Sequence, residues 1–254
     1  MNPAGKIYFI GAGPGDPELI TVKGLNLINR ADLIIYAGSL VPRQLFSESG
    51  ADRIIDSSGL TLEQTHKLMS EAYSQGQTAA RVHTGDPSIF GTIQEQAALL
   101  QKEGIPFEII PGVTASFAAA ARAGISFTFP EVSQTLIITR ASGRTRVPCA
   151  QSLKRLAASK SSMAIYLSAT LAENVQSELL DGGLDPETLV IIGWKVGWAD
   201  EKIIETDLAN LPRTVKSRNI SGQAVFLILP GKSHSTRSKL YDPDFSHGYR
   251  KPGC

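Results

Sequence analysis

Short runs of β-branched and other apolar residues alternate with longer amphipathic segments along the chain. The apolar runs predict nine strands: IYFIG (7–11), LIIYAG (33–38), RIID (53–56), AARVHTGD (79–86), FEIIPG (107–112), TLIITR (135–140), MAIYLS (163–168), LVIIGW (189–194) and AVFLILPG (224–231). Strands that alternate with helices are typical of layered α/β proteins. We therefore expect an α/β fold.

The amphipathic segments between the apolar runs predict helices. The clearest is TLEQTHKLMSEAYSQG, because Thr61 and Gln64 have the spacing of a capping box and Gly76 suits the position just past a helix end. Further helices are predicted over 18–30, 89–103, 114–123 and 171–180.

The alternation changes after the fifth predicted strand, where small residues and Pro130 interrupt it. We therefore expect an N-terminal α/β domain over 1–113, a junction over 114–134 and a C-terminal α/β domain over 135–231. Residues 232–254 form a polar tail in which Tyr241, Phe245 and Tyr249 recur at four-residue intervals. This spacing leaves two alternatives open, a tail docked on the body and a free tail.

Charge and cysteine content narrow the class of protein. The chain of 254 residues carries 25 Lys and Arg against 24 Asp and Glu, so its net charge is +1. Such a balance gives no general attraction to nucleic acid or to an anionic membrane, and any anion site must be local. No apolar run is long enough to span a bilayer, and Cys149 and Cys254 have no metal-type spacing. We expect a soluble protein of the reducing cytoplasm.

The first strand leads into a loop rich in glycine, FIGAGPGDPEL. Gly11 and Gly13 fit the first two positions of a dinucleotide fingerprint, but Asp16 occupies the place of the third glycine. Pro14 further stiffens the turn and lacks a backbone donor. A nicotinamide enzyme is therefore disfavoured, and the remaining readings are a ligand-binding loop and a tight turn without a ligand.

Two further loops follow strands in the same way. In HTGDPSIFG, Asp86 could bind a ligand hydroxyl or amine, or cap the next helix, and the residue alone favours the cap. In IPGVTASFAAAA, Thr114 could cap a helix of small residues that permits close packing or close ligand approach. Loops at the ends of parallel strands can form the walls of one crevice.

These three motifs, in this order, resemble the tetrapyrrole methylases, which use S-adenosylmethionine to methylate intermediates of cobalamin and sirohaem synthesis. The resemblance covers nearly the whole chain. Within the family, YAGSLVP (36–42), ITRASGRTRVP (138–148) and RSKLYDPDFSHGYR (237–250) are similar to the branch that methylates precorrin-4 or cobalt-precorrin-4 at carbon 11. The resemblance implies two α/β domains with the active cleft between them, usually in a homodimer.

The resemblance also implies which residues bind the two substrates. For S-adenosylmethionine they are Pro14, Thr84, Gly85, Asp86, Ile89, Thr114, Ala115, Leu167 and Val196. For the precorrin-type tetrapyrrole we expect Gly11, Gly13, Gly15, Asp16, Tyr36, Arg140, Arg144 and Arg146. The glycines would let the backbone approach a flat macrocycle, and guanidinium groups suit its carboxylates. A solvated basic loop and a core tyrosine are the plain alternatives, and Arg43 and Arg81 are weaker anchors.

The proton acceptor is left open by the sequence. Other branches carry an Asp-Arg pair after the second strand, where this chain has Ala37 and Gly38. His83 adjoins the second loop and could accept a proton, although a lone histidine at a strand end is more often structural. His66, His234 and His247 have no ligand spacing, so no protein-bound metal is expected and any cobalt would arrive inside the substrate.

Three functions other than methylation of precorrin-4 are compatible with parts of the sequence pattern. One is a methylase that acts on another precorrin position, and another is a ribosomal RNA methylase of the same architecture. The neutral charge and the lack of a basic stripe argue against RNA. The third is a tetrapyrrole carrier without catalytic activity, which would have no need for S-adenosylmethionine.

Overall fold

The computed structural model describes residues 5–231 and 238–251. The chain divides into two compact units, of which the first is Met1–Ala118 with Lys195–Glu201 and the second is Ala119–Trp194 with Lys202–Cys254. The predicted domain boundaries stay predictions, and the linear pattern gave no sign that residues 195–201 group with the first unit.

The first unit contains a sheet of five parallel strands in the order β3-β2-β4-β1-β5. The strands are β1 (Ile7–Gly11), β2 (Leu33–Tyr36), β3 (Arg53–Asp56), β4 (Ala79–His83) and β5 (Phe107–Ile110). The helices as far as residue 122 are α1 (Val22–Asn29), α2 (Leu62–Ser74), α3 (Ile93–Lys102) and α4 (Ala115–Arg122). The alternation of strand and helix confirms the predicted α/β class.

Both faces of the central strands β1, β2 and β4 are buried, as is usual for parallel sheets, whereas the edge strand β3 is largely exposed. On β2, Leu33 and Ile35 belong to one apolar cluster, and Ile34 and Tyr36 belong to another. The first cluster includes Met69 of α2 together with residues of α3, so these helices cover that face. Alternate residues of a strand point to opposite faces, which explains the division.

The predicted capping box at the start of α2 is confirmed. Thr61 Oγ1 accepts a hydrogen bond from the Gln64 N–H at 3.3 Å, and Gln64 Oε1 accepts one from the Thr61 N–H at 2.8 Å. These bonds satisfy two backbone donors that the helix itself leaves unpaired.

Two helices begin later than the sequence predicted. The first begins at Val22 rather than residue 18, because Asp16 caps a separate 3₁₀ turn and Thr21 Oγ1 then accepts from the Gly24 N–H at 3.1 Å. The third begins at Ile93 rather than residue 89, because Phe90 and Thr92 have φ angles of 54° and 49°. Left-handed backbone cannot continue a right-handed helix.

The second unit contains a mixed sheet in the order β6-β7-β10-β8-β9. Its strands are β6 (Leu136–Arg140), β7 (Ser162–Tyr166), β8 (Leu189–Trp194), β9 (Lys202–Asp207) and β10 (Ala224–Leu229). Its remaining helices are α5 (Leu153–Ala157), α6 (Ala172–Asp181) and α7 (Leu211–Ser217). β6 and β7 are parallel, whereas β10 runs antiparallel to β7 and β8.

The sequence missed β9, α5 and α7. β9 lies at the sheet edge, where Lys202 and Glu205 are exposed, and its charged residues hide the apolar run. α5 and α7 are short and contain few periodic apolar positions. Their formation depends on packing against the core cluster through residues such as Leu153 and Leu211.

Hydrogen bonds from a tail side chain to backbone carbonyl groups of the tail stabilise residues 238–251 locally. The Arg250 guanidinium donates to the carbonyl oxygens of Leu240 and Phe245 at 2.7 and 3.0 Å. Tyr249 is fully exposed and Tyr241 is 70% exposed. His234 and Cys254 lie outside the described residues.

Candidate functional site

Three loops meet at the carboxyl edge of the first sheet. β1 lies between β4 and β5, so the loops that leave these three strands are neighbours. They are the segments 11–16, 83–91 and 111–115, which hold the three motifs that the sequence analysis selected. The fold therefore brings together most of the predicted donor residues.

The first two loops are joined through their backbones. Gly13 N–H donates to the Gly85 carbonyl at 3.2 Å, and Gly85 N–H donates to the Gly13 carbonyl at 2.7 Å. Just before them, Ala12 N–H donates to the His83 carbonyl at 2.8 Å. These bonds continue the pairing of β1 with β4 beyond the ends of the strands.

Asp86 joins the second loop to the third. Its Oδ2 accepts from the Gly112 N–H at 2.9 Å, and its Oδ1 accepts from the Ser88 N–H at 2.8 Å and from the Ser88 hydroxyl. Burial raises the pKa of Asp86, but these hydrogen bonds outweigh it and the net pKa is lowered. Asp86 is therefore an ionised link between two loops that also caps the turn at Ser88. The expectation that it caps the next helix is wrong, because α3 begins only at Ile93.

The absence of side chains in these loops has a physical cause in the protein itself. A Cβ at Gly11 would lie 2.6 Å from the Gly85 carbonyl oxygen and 2.7 Å from Gly112 Cα. A Cβ at Gly112 would collide with the same carbonyl oxygen. Glycine at these positions lets three backbones touch, which is a different reason from the approach of a macrocycle.

A segment from far along the chain covers the first loop. A Cβ at Gly15 would lie 2.5 Å from Trp198 Cδ1 and 2.8 Å from the Val196 carbonyl oxygen. A Cβ at Gly197 would collide with the Asp16 N–H group. Val196 was predicted to lie at the site and Trp198 was not. Gly197, which comes just before this tryptophan, is the feature of the sequence that could have indicated a close backbone contact here.

Gly85 lies among the residues of the first unit that are predicted to bind S-adenosylmethionine. Gly85 has φ +61°, and a Cβ there would meet nothing closer than Thr114 Cα at 3.7 Å. Thr84, Asp86 and Ile89 are partly exposed around it. Pro14, Thr114 and Val196 are buried, and Ala115 is partly exposed. A Cβ at Gly85 would be in ordinary van der Waals contact with Thr114, so the left-handed backbone, and not crowding, is what favours glycine at this position.

Tyr36 ends β2, the strand next to β4. Its hydroxyl oxygen accepts hydrogen bonds from Arg43 Nε and Nη2 at 3.1 and 2.8 Å, and its ring packs on Phe46. The Tyr36 side chain is only 3% exposed. The arrangement agrees with the plain alternative of a core tyrosine with a polar tip.

Two polar side chains of β4 are buried beside the loops. Arg81 is 8% exposed and His83 is 4% exposed. Burial lowers the pKa of Arg81 to about 10, and burial together with the Arg81 charge lowers the pKa of His83 to about 3. An imidazole with such a low pKa is a weak base and therefore a poor proton acceptor at physiological pH.

The other predicted residues lie in the second unit, at the carboxyl ends of the parallel strands β6 and β7. Arg140 Nη1 donates to the Thr145 carbonyl at 2.9 Å, and its Nη2 donates to the Arg146 carbonyl at 3.1 Å. Arg140 thus fastens its own loop, while Arg144 and Arg146 are exposed. Leu167 is 68% exposed with φ 53°, so an apolar residue is presented in a strained conformation.

Two absences apply to residues 5–231 and 238–251. No cluster of three or more His, Cys, Asp or Glu side chains there could hold a metal ion. No helix within these ranges has the length and apolar character needed to cross a bilayer.

The fold and the glycine-rich loops define a class of methylase. The family described as Tetrapyrrole (Corrin/Porphyrin) Methylases matches residues 6–212. The chain belongs to this family.

Individual curated proteins of this family are similar to the chain over nearly its full length. The chain is 45% identical to a cobalt-precorrin-4 C(11)-methyltransferase of Priestia megaterium over 97% of this chain and 98% of the relative. It is 43% identical to a precorrin-4 C(11)-methyltransferase of Pseudomonas aeruginosa over 97% and 99% of the two chains. The predicted family membership is confirmed, and these relatives carry the names of the predicted branch.

Solved structures of methyltransferases share the fold of this chain. A cobalt precorrin-4 methyltransferase, described as a cobalamin biosynthetic enzyme, superposes with a TM-score of 0.86 at 44% identity, covering 88% of this chain and 94% of that one. A uroporphyrin-III C-methyltransferase of Thermus thermophilus in complex with S-adenyl homocysteine has a TM-score of 0.73 at 21% identity, covering 89% and 97%. The second likeness concerns the fold alone.

Proposed function

We propose that this chain is an S-adenosylmethionine-dependent methyltransferase that methylates carbon 11 of precorrin-4 or of cobalt-precorrin-4 in cobalamin biosynthesis. The observation that carries the proposal is the 45% identity, over 97% of the chain, to the Priestia megaterium cobalt-precorrin-4 C(11)-methyltransferase. The family match and the 0.86 TM-score to a cobalt precorrin-4 methyltransferase support it.

We assign the donor site to the linked loops of the first unit. We assign Gly85 as the point of closest approach because it has no side chain and its backbone is left-handed, with φ +61°. Thr84, Asp86 and Ile89 lie around it, and Asp86 keeps the second and third loops in register. Holding the loops in one arrangement before the ligand arrives reduces the entropy lost on binding.

S-adenosylmethionine supplies an activated methyl group on a sulfonium. The residues of this chain have to orient that group against the carbon to be methylated and to exclude water, since orientation alone can lower a barrier by several kcal/mol. The linked backbones of Gly13 and Gly85 suit this role because they leave the loops little freedom. We assign no protein base, because burial and the nearby Arg81 lower the pKa of His83 and so make it a weak base.

For the carboxylates of the tetrapyrrole we propose Arg144 and Arg146 as surface anchors. Both are exposed, whereas Arg140 is occupied with the carbonyl groups of its own loop. Arg140 then acts by shaping the loop that presents the other two. A guanidinium group can bind a carboxylate through two parallel hydrogen bonds.

We also propose that the protein is a homodimer of the cytoplasm. The resemblance to the family supports the dimer. The exposed free thiol of Cys149 suits a reducing compartment. Light scattering coupled to size-exclusion chromatography measures the mass in solution, and a monomer at micromolar concentration would contradict the dimer.

Methyl transfer tests the function directly. The purified protein is incubated with precorrin-4 or with cobalt-precorrin-4, together with a donor that carries a carbon-13 methyl group. The expected product has one labelled methyl group, at carbon 11 in the carbon-13 spectrum. Label at another carbon would replace the proposal with a different precorrin methylase, and donor binding without transfer would favour a carrier. The faster of the two substrates decides whether cobalt is present in the natural one.

A further inference from the structure

Arg81 is a cation inside the apolar face of the first sheet that α2 and α3 cover. Its Nε donates to Gln96 Oε1 at 3.1 Å, and its Nη1 donates to the Ile35 carbonyl oxygen at 3.3 Å. Both acceptors are neutral. Within residues 5–231 and 238–251, Arg81 forms no ion pair with a carboxylate.

A buried guanidinium without a counter-ion is unfavourable, and proteins ordinarily bury charges only in pairs. Two neutral hydrogen bonds offset part of the desolvation and leave other N–H donors of Arg81 unused among the described residues. A purely structural role would be served as well by an uncharged side chain. The charge therefore calls for an anion that the chain itself does not supply.

His83 lies two residues further along β4, on the same face as Arg81. Its Nε2 is buried and has no hydrogen-bond partner in the described part of the chain. Its ring centroid lies 6.0 Å from that of Phe9, so the surroundings are apolar. An unpaired imidazole nitrogen beside a guanidinium that has no counter-ion among the described residues points to one shared partner.

We propose that Arg81 and His83 form a carboxylate subsite at the end of β4. The unused guanidinium donors and the Nε2–H tautomer of His83 would all donate to one carboxylate. The inference rests on the proposed function, because both substrates of that reaction carry carboxylates. In S-adenosylmethionine the carboxylate belongs to the amino acid end, and in the tetrapyrrole the carboxylates belong to the acetate and propionate groups.

The position of the pair fits this role. Residues of α2 and α3 form the apolar cluster on this face of the sheet, and the carboxyl end of β4 leads into the second loop. There Thr84 is partly exposed, and Gly85 follows immediately. A carboxylate in the subsite would therefore lie next to the proposed donor loop.

The test compares Arg81→Met and Arg81→Lys with Arg53→Met, an exposed arginine on the edge strand β3 that serves as the matched control. Folding is checked by circular dichroism and thermal unfolding. Calorimetry measures the Kd of S-adenosylmethionine and of its decarboxylated analogue, and steady-state kinetics measure KM and kcat for the tetrapyrrole. Arg81→Lys keeps the charge and loses the fork, so the question stays answerable if Arg81→Met does not fold.

If the tetrapyrrole supplies the carboxylate, both variants raise its KM by about tenfold or more and leave donor affinity unchanged. If the donor supplies it, both variants weaken S-adenosylmethionine by a similar factor, while the decarboxylated analogue binds wild type and variants alike. His83→Leu should weaken the same ligand, with an effect less than additive with Arg81→Met. Kd and KM values of a folded Arg81 variant that match those of Arg53→Met would overturn the subsite. Wild-type protein without methyl transfer would instead contradict the proposed function, and the calorimetric comparison would still stand.

Discussion

Gly13 and Gly85 donate a backbone hydrogen bond to each other, although they follow different strands of the first sheet. Because the bonds are reciprocal, neither loop can move without breaking a bond of the other. The two glycine-rich loops therefore behave as one element, and Asp86 adds the third loop to it. Changes to any one loop should be felt in donor binding.

Gly85→Leu should abolish donor binding in a protein that remains folded. The left-handed φ of +61° costs a leucine about 1–2 kcal/mol, and the new side chain would occupy the space beside Thr114 that we assign to the methyl donor. Calorimetric titration with S-adenosylmethionine measures the loss. Gly104→Leu is the matched control, since Gly104 has φ +68° and nothing within 4 Å of its Cβ position. Equal donor affinity in the two variants would place the donor elsewhere.

Asp86→Asn should destabilise the loop pair and weaken the donor. The amide can keep one of the two carboxylate acceptors but cannot accept from both Ser88 and Gly112. We expect a loss of about 1–3 kcal/mol in the free energy of unfolding, measured in urea, and weaker S-adenosylmethionine binding. Unchanged values of both quantities would show that Asp86 is only a local turn cap.

The Gly15 position can be probed with a double-mutant cycle. Gly15→Ala places a methyl group against the Trp198 ring and should cost about 1–3 kcal/mol of stability. Trp198→Ala removes the ring, so the double variant should recover part of that loss, while the Val196 carbonyl still opposes the methyl group. Chemical denaturation of the four proteins yields the coupling energy. A coupling energy near zero would rule out the contact.

Acid stability should depend on His83. Burial lowers the pKa of His83 to about 3 in the fold against its ordinary value of 6.5, so the unfolded chain binds the proton more readily. Stability is therefore lost as the pH falls from 6.5 toward 3, by at most about 1.4 kcal/mol for each pH unit. His83→Asn should flatten the dependence of unfolding free energy on pH across that window. His247→Asn, at an exposed position of the tail, serves as the control and should leave the slope as in wild type.

Arg140 and Arg144 should differ although they share a loop. Arg140→Met removes the bonds to Thr145 and Arg146 and should make the loop 141–147 more susceptible to limited proteolysis. Arg144→Ala should change stability by less than about 0.5 kcal/mol and raise the KM for the tetrapyrrole with donor affinity intact. If Arg144→Ala lowered donor and tetrapyrrole affinity equally, the anchor role would be wrong.

Much of the fold could be predicted from the sequence because the central strands of the first sheet are buried on both faces and read as apolar runs. All nine predicted strands form, and the strand that was missed, β9, is an edge strand whose charged positions conceal its apolar residues. Helix starts were misplaced where local backbone decides, as at Thr92 with its left-handed φ. Such angles depend on tertiary packing and leave no pattern in the sequence.

The loops of the candidate site could be predicted from the sequence, whereas the burial of its charged side chains could not. Motif spacing selected Gly85 and Asp86, and strand order then brought them beside Gly13 and Gly112. The burial of Arg81 could not be predicted, because arginine is ordinarily exposed and nothing local marks an exception. The roles of individual site residues stay predictions.

The segment Lys195–Glu201 belongs to the first compact unit although the chain reaches it late. During synthesis, a ribosome must therefore release most of the polypeptide before Trp198 can cover Gly15. In nascent chains that end before residue 195, the first loop (residues 11–16) would lack the cover that Trp198 provides and would be exposed to chaperones and proteases. The order of translation thus delays the packing of a loop that is synthesised among the first residues.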